Sequence, residues 1–80
     1  MPTILRRNGF EFVIRTRDHE PPHVHVLYAG TEVLFNLGIA DEMPLIREVR
    51  GMNRRNVRRA FEIAVENNEM FLMRWREIYG

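Results

Sequence analysis

Apolar side chains recur at about every second position through the first half of the chain, and at every third or fourth position from Asn53 onward. A period of two places one row of a strand against a core, whereas a period near 3.6 makes an apolar stripe along a helix. A chain that changes once from the first period to the second belongs to the α+β class. The expected architecture is an antiparallel sheet of about four strands, in two hairpins, followed by two C-terminal helices packed on one face. At 80 residues this is a single domain, residues 1–80, which buries only about 60–65% of the surface that its unfolded chain exposes.

Turn residues divide the first half. Asn8-Gly9 accepts the positive φ of a type I′ turn at both positions, so Thr3 to Arg17 reads as a hairpin. A two-residue loop there pairs Arg6 with Glu11, Leu5 with Phe12 and Ile4 with Val13, with Phe10, Phe12 and Ile14 facing the core. His23 to Tyr28 and Thr31 to Leu37 form a second pair around Ala29-Gly30. Alanine resists positive φ, so a type I turn with Gly30 left-handed is expected there. Gly38 to Arg50, with Pro44, reads as an irregular connection in which Ile39, Leu45, Ile46 and Val49 supply a short edge strand or a turn of helix.

Asn53 then serves as an N-cap, and Val57, Phe61, Ala64 and Val65 make one apolar stripe. Asn67-Asn68 interrupts it, and Asn68 can cap a second helix burying Phe71, Leu72, Trp75, Ile78 and Tyr79. One helix with a mild kink at Asn67 is the alternative.

With no cysteine in the chain, disulfides, thiolate metal sites and thiol nucleophiles are excluded. No apolar run approaches the roughly 18–20 residues of a membrane span. Met1 to Gly9 carries two arginines without an apolar stretch behind them, unlike a signal peptide. A soluble cytoplasmic protein without a membrane partner is expected.

The net charge of +1 conceals segregation: +3 over residues 1–17, −5 over 18–46, +5 over 47–59 and −2 over 60–80. All 12 basic residues are arginine. The planar guanidinium suits bidentate contacts with phosphate or carboxylate, although GC-rich coding produces the same bias. Arg54, Arg55, Arg58 and Arg59 crowd the first two turns of the helix that Asn53 opens. Like charges at i, i+4 repel, and cations are disfavoured at the positive end of the helix dipole. Such violations point to a site for an anion or an acidic partner. A solvated face with ion pairs such as Arg58–Glu62 is the plain alternative. The patch is small for duplex DNA, so among nucleic acids RNA fits better.

All three histidines fall within the seven residues His19 to His25. His23 and His25 have strand spacing, which puts their rings on one side about 6–7 Å apart. Pro21-Pro22 stiffens the approach, and the preceding chain reversal brings Asp18, His19 or Glu20 within reach. His19, His23 and His25 are candidate ligands of a divalent transition metal. With Glu20 they are equally candidates for acid–base catalysis, as in a small ribonuclease or metal-dependent hydrolase. A third role is structural, shaping the turn and covering the sheet. Met70, Met73 and Trp75 read as packing residues, and the terminal aromatic side chains are a candidate homodimer surface.

Met1-Pro2-Thr3-Ile4-Leu5-Arg6, Asn8-Gly9-Phe10 and above all Asp18-His19-Glu20-Pro21-Pro22-His23-Val24-His25-Val26 resemble a family of small bacterial proteins, domain of unknown function 4160. The resemblance continues through Gly51, the arginine-rich helix, Glu66-Asn67 and Trp75 to Gly80. The departures are the absence of lysine and the Asp41-Glu42-Met43-Pro44 loop. The resemblance implies a short protein encoded beside another small protein in a toxin–antitoxin-like pair, with no settled activity. Its most distinctive string falls here on His19, Glu20, Pro21, Pro22, His23 and His25. The expected function is a component of such a pair that binds nucleic acid or a small acidic protein through Arg54, Arg55, Arg58 and Arg59. A hydrolase centred on His19, His23 and His25 is the alternative.

Overall fold

Asn8 and Gly9 adopt φ of 54° and 84°, the left-handed pair of a type I′ turn, and join β1 (Thr3–Arg7) to β2 (Phe10–Val13). The computed structural model describes residues 3–15 and 17–80. Met1 and Pro2, part of the family-like opening, and Thr16, within the expected first hairpin, lie outside the described residues. Leu5 pairs with Phe12 and Arg6 with Glu11, as the turn dictates. The expected Ile4–Val13 pair does not form, because the register shifts between Thr3 and Leu5 and Val13 faces Thr3 instead.

β3 (His23–Tyr28), β4 (Thr31–Asn36) and β5 (Leu45–Arg50) complete an antiparallel sheet in the order β1-β2-β3-β4-β5. The sheet therefore has five strands, not four, since the segment after Pro44 runs along β4 for its whole length. The β3–β4 turn also differs from expectation. Pairing continues without a break from His23↔Asn36 to Tyr28↔Thr31, leaving only Ala29 and Gly30 to reverse the chain. The twist of a two-residue loop requires positive φ at both positions, and Ala29 takes 48° with Gly30 at 78°. Alanine pays about 1–2 kcal/mol for this conformation, offset by the unbroken ladder and a 2.6 Å hydrogen bond from Thr31 Oγ1 to the Tyr28 carbonyl.

In β5, Ile46 faces Phe35 and Glu48 faces Leu34, so Arg47 is the extra residue of a bulge. The bulge keeps Ile46 and Val49, opposite Phe35 and Val33, on the same side of the sheet. All six β5 residues are exposed.

One helix, α1 (Arg54–Tyr79), replaces the expected two. Asn53 caps it, Oδ1 accepting from the Asn56 N–H at 2.8 Å. Asn67 and Asn68 do not break it because each carboxamide finds a partner elsewhere. Asn67 Nδ2 donates to the Ile63 carbonyl one turn back, at 2.8 Å. Asn68 is buried and grips Gly38, accepting its N–H at 2.9 Å and donating to its carbonyl at 2.8 Å. Gly38 is where the β4–β5 connection folds over itself, with a built Cβ only 1.8 Å from the Glu42 carbonyl oxygen.

The helix packs its Ala60, Ile63, Ala64, Phe71, Leu72 and Trp75 on the sheet side formed by Phe12, Val24, Val26, Val33 and Phe35. The small Ala60 and Ala64 let the helix sit close, and Phe71 stacks on Phe12 with centroids 5.2 Å apart. Val65 and Tyr79, expected on the buried stripe, are both 37% exposed. Val65 falls at the margin of the stripe that a straight 3.6 period defines, whereas Tyr79 lies on it, one turn beyond Trp75, and is partly exposed because the helix ends there. Among the described residues, no helix is long and apolar enough to cross a membrane. Asn68→Ala leaves the buried Gly38 N–H and carbonyl unpaired. The expected loss is about 2–4 kcal/mol in urea unfolding, where loss of an exposed cap would cost about 1 kcal/mol.

Candidate functional site

The alternation along β3 sends Val24 and Val26 into the core under α1, so His23 and His25 project on the other side of the strand. That side is also closed at its centre. His25 stands between Val13 of β2 and Leu34 of β4 in one cross-strand row, all three buried. The imidazoles therefore lie in a water-poor setting, 3% and 4% exposed, with ring centroids 5.2 Å apart. Groups buried this way need polar partners.

The connection between β2 and β3 supplies them. The Asp18 carboxylate accepts the Arg15 backbone N–H at 2.9 Å and is thereby turned towards the rings. Its Oδ1 lies 3.0 Å from His25 Nε2 and 3.4 Å from His23 Nε2. On the far side of each ring, His23 Nδ1 is 2.9 Å from the Pro21 carbonyl and His25 Nδ1 is 2.8 Å from Glu32 Oε2. The Arg47 and Arg15 guanidiniums approach the same two Nδ1 atoms at 3.0 and 3.1 Å. For Asp18, burial is the largest influence and pushes its carboxyl upward. The bonds from His25 and the Arg15 N–H, with the charge of both histidines, outweigh it and leave the group below its ordinary value. Glu32 behaves alike: burial raises it, but His25, Arg15 and Arg50 together hold it low.

Beside this cluster is an open cleft of about 540 Å³ whose walls include Asp18, His19, Glu20, Trp75 and Tyr79. Trp75 lies 5.3 Å from His23, centroid to centroid, and donates from Nε1 to Glu20 Oε1 at 3.0 Å. The Tyr79 hydroxyl accepts the Asp18 N–H at 2.9 Å and donates to the Arg15 carbonyl. The last turns of α1 thus hold the loop that carries Asp18.

Of the grouped sequence candidates, His23 and His25 meet at the cluster. His19 is exposed on the cleft wall, and Glu20 is exposed and turned to Trp75. Asp18 is the residue of the approach that reaches both imidazoles, its ligating atom and theirs lying within 4.8 Å of one another. Glu32 escaped the sequence reading. The two-residue β3–β4 turn sets His25 opposite Leu34 and Glu32 diagonal to it, within reach of a long side chain. That signal was hidden by the expectation of a looser turn.

At the other end of α1, Arg54, Arg55, Arg58 and Arg59 are exposed, and the first turn contains no acid. None of the four is ion-paired among the described residues. The Arg58–Glu62 pair does not form, and Glu66 is bound by Arg7 at 3.4 Å. Arg54 and Arg58 flank a groove of about 410 Å³ between β5 and the helix, otherwise lined by Ile46, Val49, Met52, Val57 and Phe61.

Tyr79→Phe removes the hydroxyl that fastens the Asp18 loop. Its amide should exchange with solvent at least ~10-fold faster in hydrogen-exchange NMR, while global stability falls by only about 1 kcal/mol, the worth of a partly exposed hydrogen bond. Unchanged exchange at Asp18 would show that the loop is held by other contacts.

No curated protein and no solved structure matches the chain. The family described as a domain of unknown function, DUF4160, matches residues 9–76, from the first turn through the loop of Asp18 and both buried histidines to the last turns of the helix. The chain belongs to the DUF4160 family.

Proposed function

We propose that this protein binds an acidic partner protein through Arg54, Arg55, Arg58 and Arg59, as one component of a toxin–antitoxin-like pair. The observation that carries the reading is the union of four guanidiniums, without an ion pair among the described residues, with an apolar groove at one end of the helix. The guanidiniums stand where the helix dipole already attracts negative charge, so an acidic segment gains from both. The groove beside them takes apolar side chains of the same segment. A nucleic acid would satisfy the arginines but leave Ile46, Val49 and Val57 facing its phosphates, so the groove favours a protein over RNA. The two-gene setting follows from the resemblance to the family.

A second reading, a small ribonuclease or metal-dependent hydrolase, draws support from the convergence of Asp18, His23 and His25. Substrate would reach it only through the cleft, since both rings are nearly enclosed.

Fluorescence anisotropy with a labelled acidic amphipathic peptide and a labelled single-stranded RNA tests the first reading. Peptide binding should weaken as salt rises. Replacing the four arginines by glutamine should lower affinity at least ~10-fold and flatten the salt dependence, about 1.4 kcal/mol or more. Undiminished peptide binding by the quadruple variant would sink the reading. Binding of RNA without peptide would replace the protein partner with nucleic acid.

A further inference from the structure

We propose that Asp18, His23 and His25 form a binding site for one divalent transition-metal ion, with the Pro21 carbonyl and Glu32 orienting the two imidazoles. This inference does not rest on the partner-binding reading, which concerns the opposite end of α1.

The geometry of the Nδ1 atoms is the starting point. Each has an oxygen acceptor and a guanidinium nearby, and in both cases the oxygen is nearer: 2.8 against 3.1 Å at His25, and 2.9 against 3.0 Å at His23. Hydrogen on Nδ1, the form in which a metal-binding imidazole presents Nε2, satisfies the oxygen at each ring. Each Nε2 then faces Asp18, and at His25 an ion entering here displaces the hydrogen shared with that carboxylate. Both Nε2 atoms and the Asp18 carboxylate converge beside the nearly enclosed rings, the three ligating atoms lying within 4.8 Å of one another.

The distances suit a metal ion. Two donors each about 2.1 Å from one ion, at angles of about 90–110°, stand about 3.0–3.4 Å apart. The Asp18 oxygen lies 3.0 Å from one Nε2 and 3.4 Å from the other. The outer contacts match as well: a metal-binding histidine donates its other ring N–H to a carboxylate or a backbone carbonyl. His25 has the first kind of partner and His23 the second.

Two imidazoles and one carboxylate, without sulfur, select a transition ion such as zinc, iron or manganese over calcium or magnesium. Three protein ligands leave further coordination positions for water or substrate. Asp18 also belongs to the wall of the cleft, which therefore gives ions and small ligands their approach. Arg15 and Arg47, near the rings, add positive charge that lowers affinity for a cation and raises it for an anion bound to that cation.

The test uses full-length, untagged protein stripped with a chelator. Zn²⁺ is titrated by calorimetry while long-range ¹H–¹⁵N spectra follow the imidazole nitrogens. One ion per chain should bind, and Zn²⁺ should move the Nε2 resonances of His23 and His25 and leave hydrogen on Nδ1 of both rings. Asp18→Asn should abolish stoichiometric binding. Glu32→Ala, a change in a positioning residue, should weaken it by about 10- to 100-fold, with folding of each variant checked by circular dichroism. If Asp18→Asn fails to fold, the spectra of the unaltered protein decide alone. Absence of binding, or binding that leaves both Nε2 signals in place, overturns the proposal.

Discussion

The alternation of side chains along β3 determines what each side of the sheet has to supply. As the middle of five strands, β3 is covered on both sides over His23–Val26. Val24 and Val26 need only apolar neighbours, and α1 provides them. His23 and His25 need hydrogen-bond partners in the same low-dielectric interior, and a hydrocarbon cover would leave them unsatisfied. The chain meets that demand with backbone from Pro21, a carboxylate from the preceding loop and another from the next strand. The helix and the polar cluster are thus two answers to one strand.

Because α1 runs without interruption, it joins two chemically different ends. Its first turns carry exposed arginines beside an apolar groove, and its last turns press Trp75 and Tyr79 against the loop that holds Asp18. A break at Asn67 would uncouple these ends. Asn68 prevents it by taking Gly38 as its partner, so a residue type that favours helix starts becomes the cross-brace between helix and β4–β5 connection.

Much of this was readable from residues. The change of period announced sheet then helix, Asn8-Gly9 gave the first turn and most of its register, and the spacing of His23 and His25 placed both rings on one side of a strand. What the sequence hid has particular causes. Ala29 takes a conformation that its Cβ opposes, because pairing from both sides outweighs a local preference. The strand after Pro44 buries nothing, so it lacks the alternation by which strands are recognised. Asn67-Asn68 reads as a stop unless the distant Gly38 is known to be within reach. The participation of Glu32 depends on a tight turn that Ala29 disguises, while that of Asp18 over His19 and Glu20 depends on a loop path that no local pattern specifies.

The bulge at Arg47 bears on how the molecule behaves in concentrated solution. β5 is a free edge with Leu45, Ile46 and Val49 exposed, a composition that ordinarily recruits further chains into a growing ladder. Inserting one residue opposite an unbroken stretch of β4 interrupts the regular spacing of free N–H and carbonyl groups that an incoming strand must match. Arg47, at the bulge itself, adds a charged side chain to this edge. The bulge therefore disfavours extension of the sheet along this apolar margin and leaves its side chains, more than its backbone, to meet whatever approaches it.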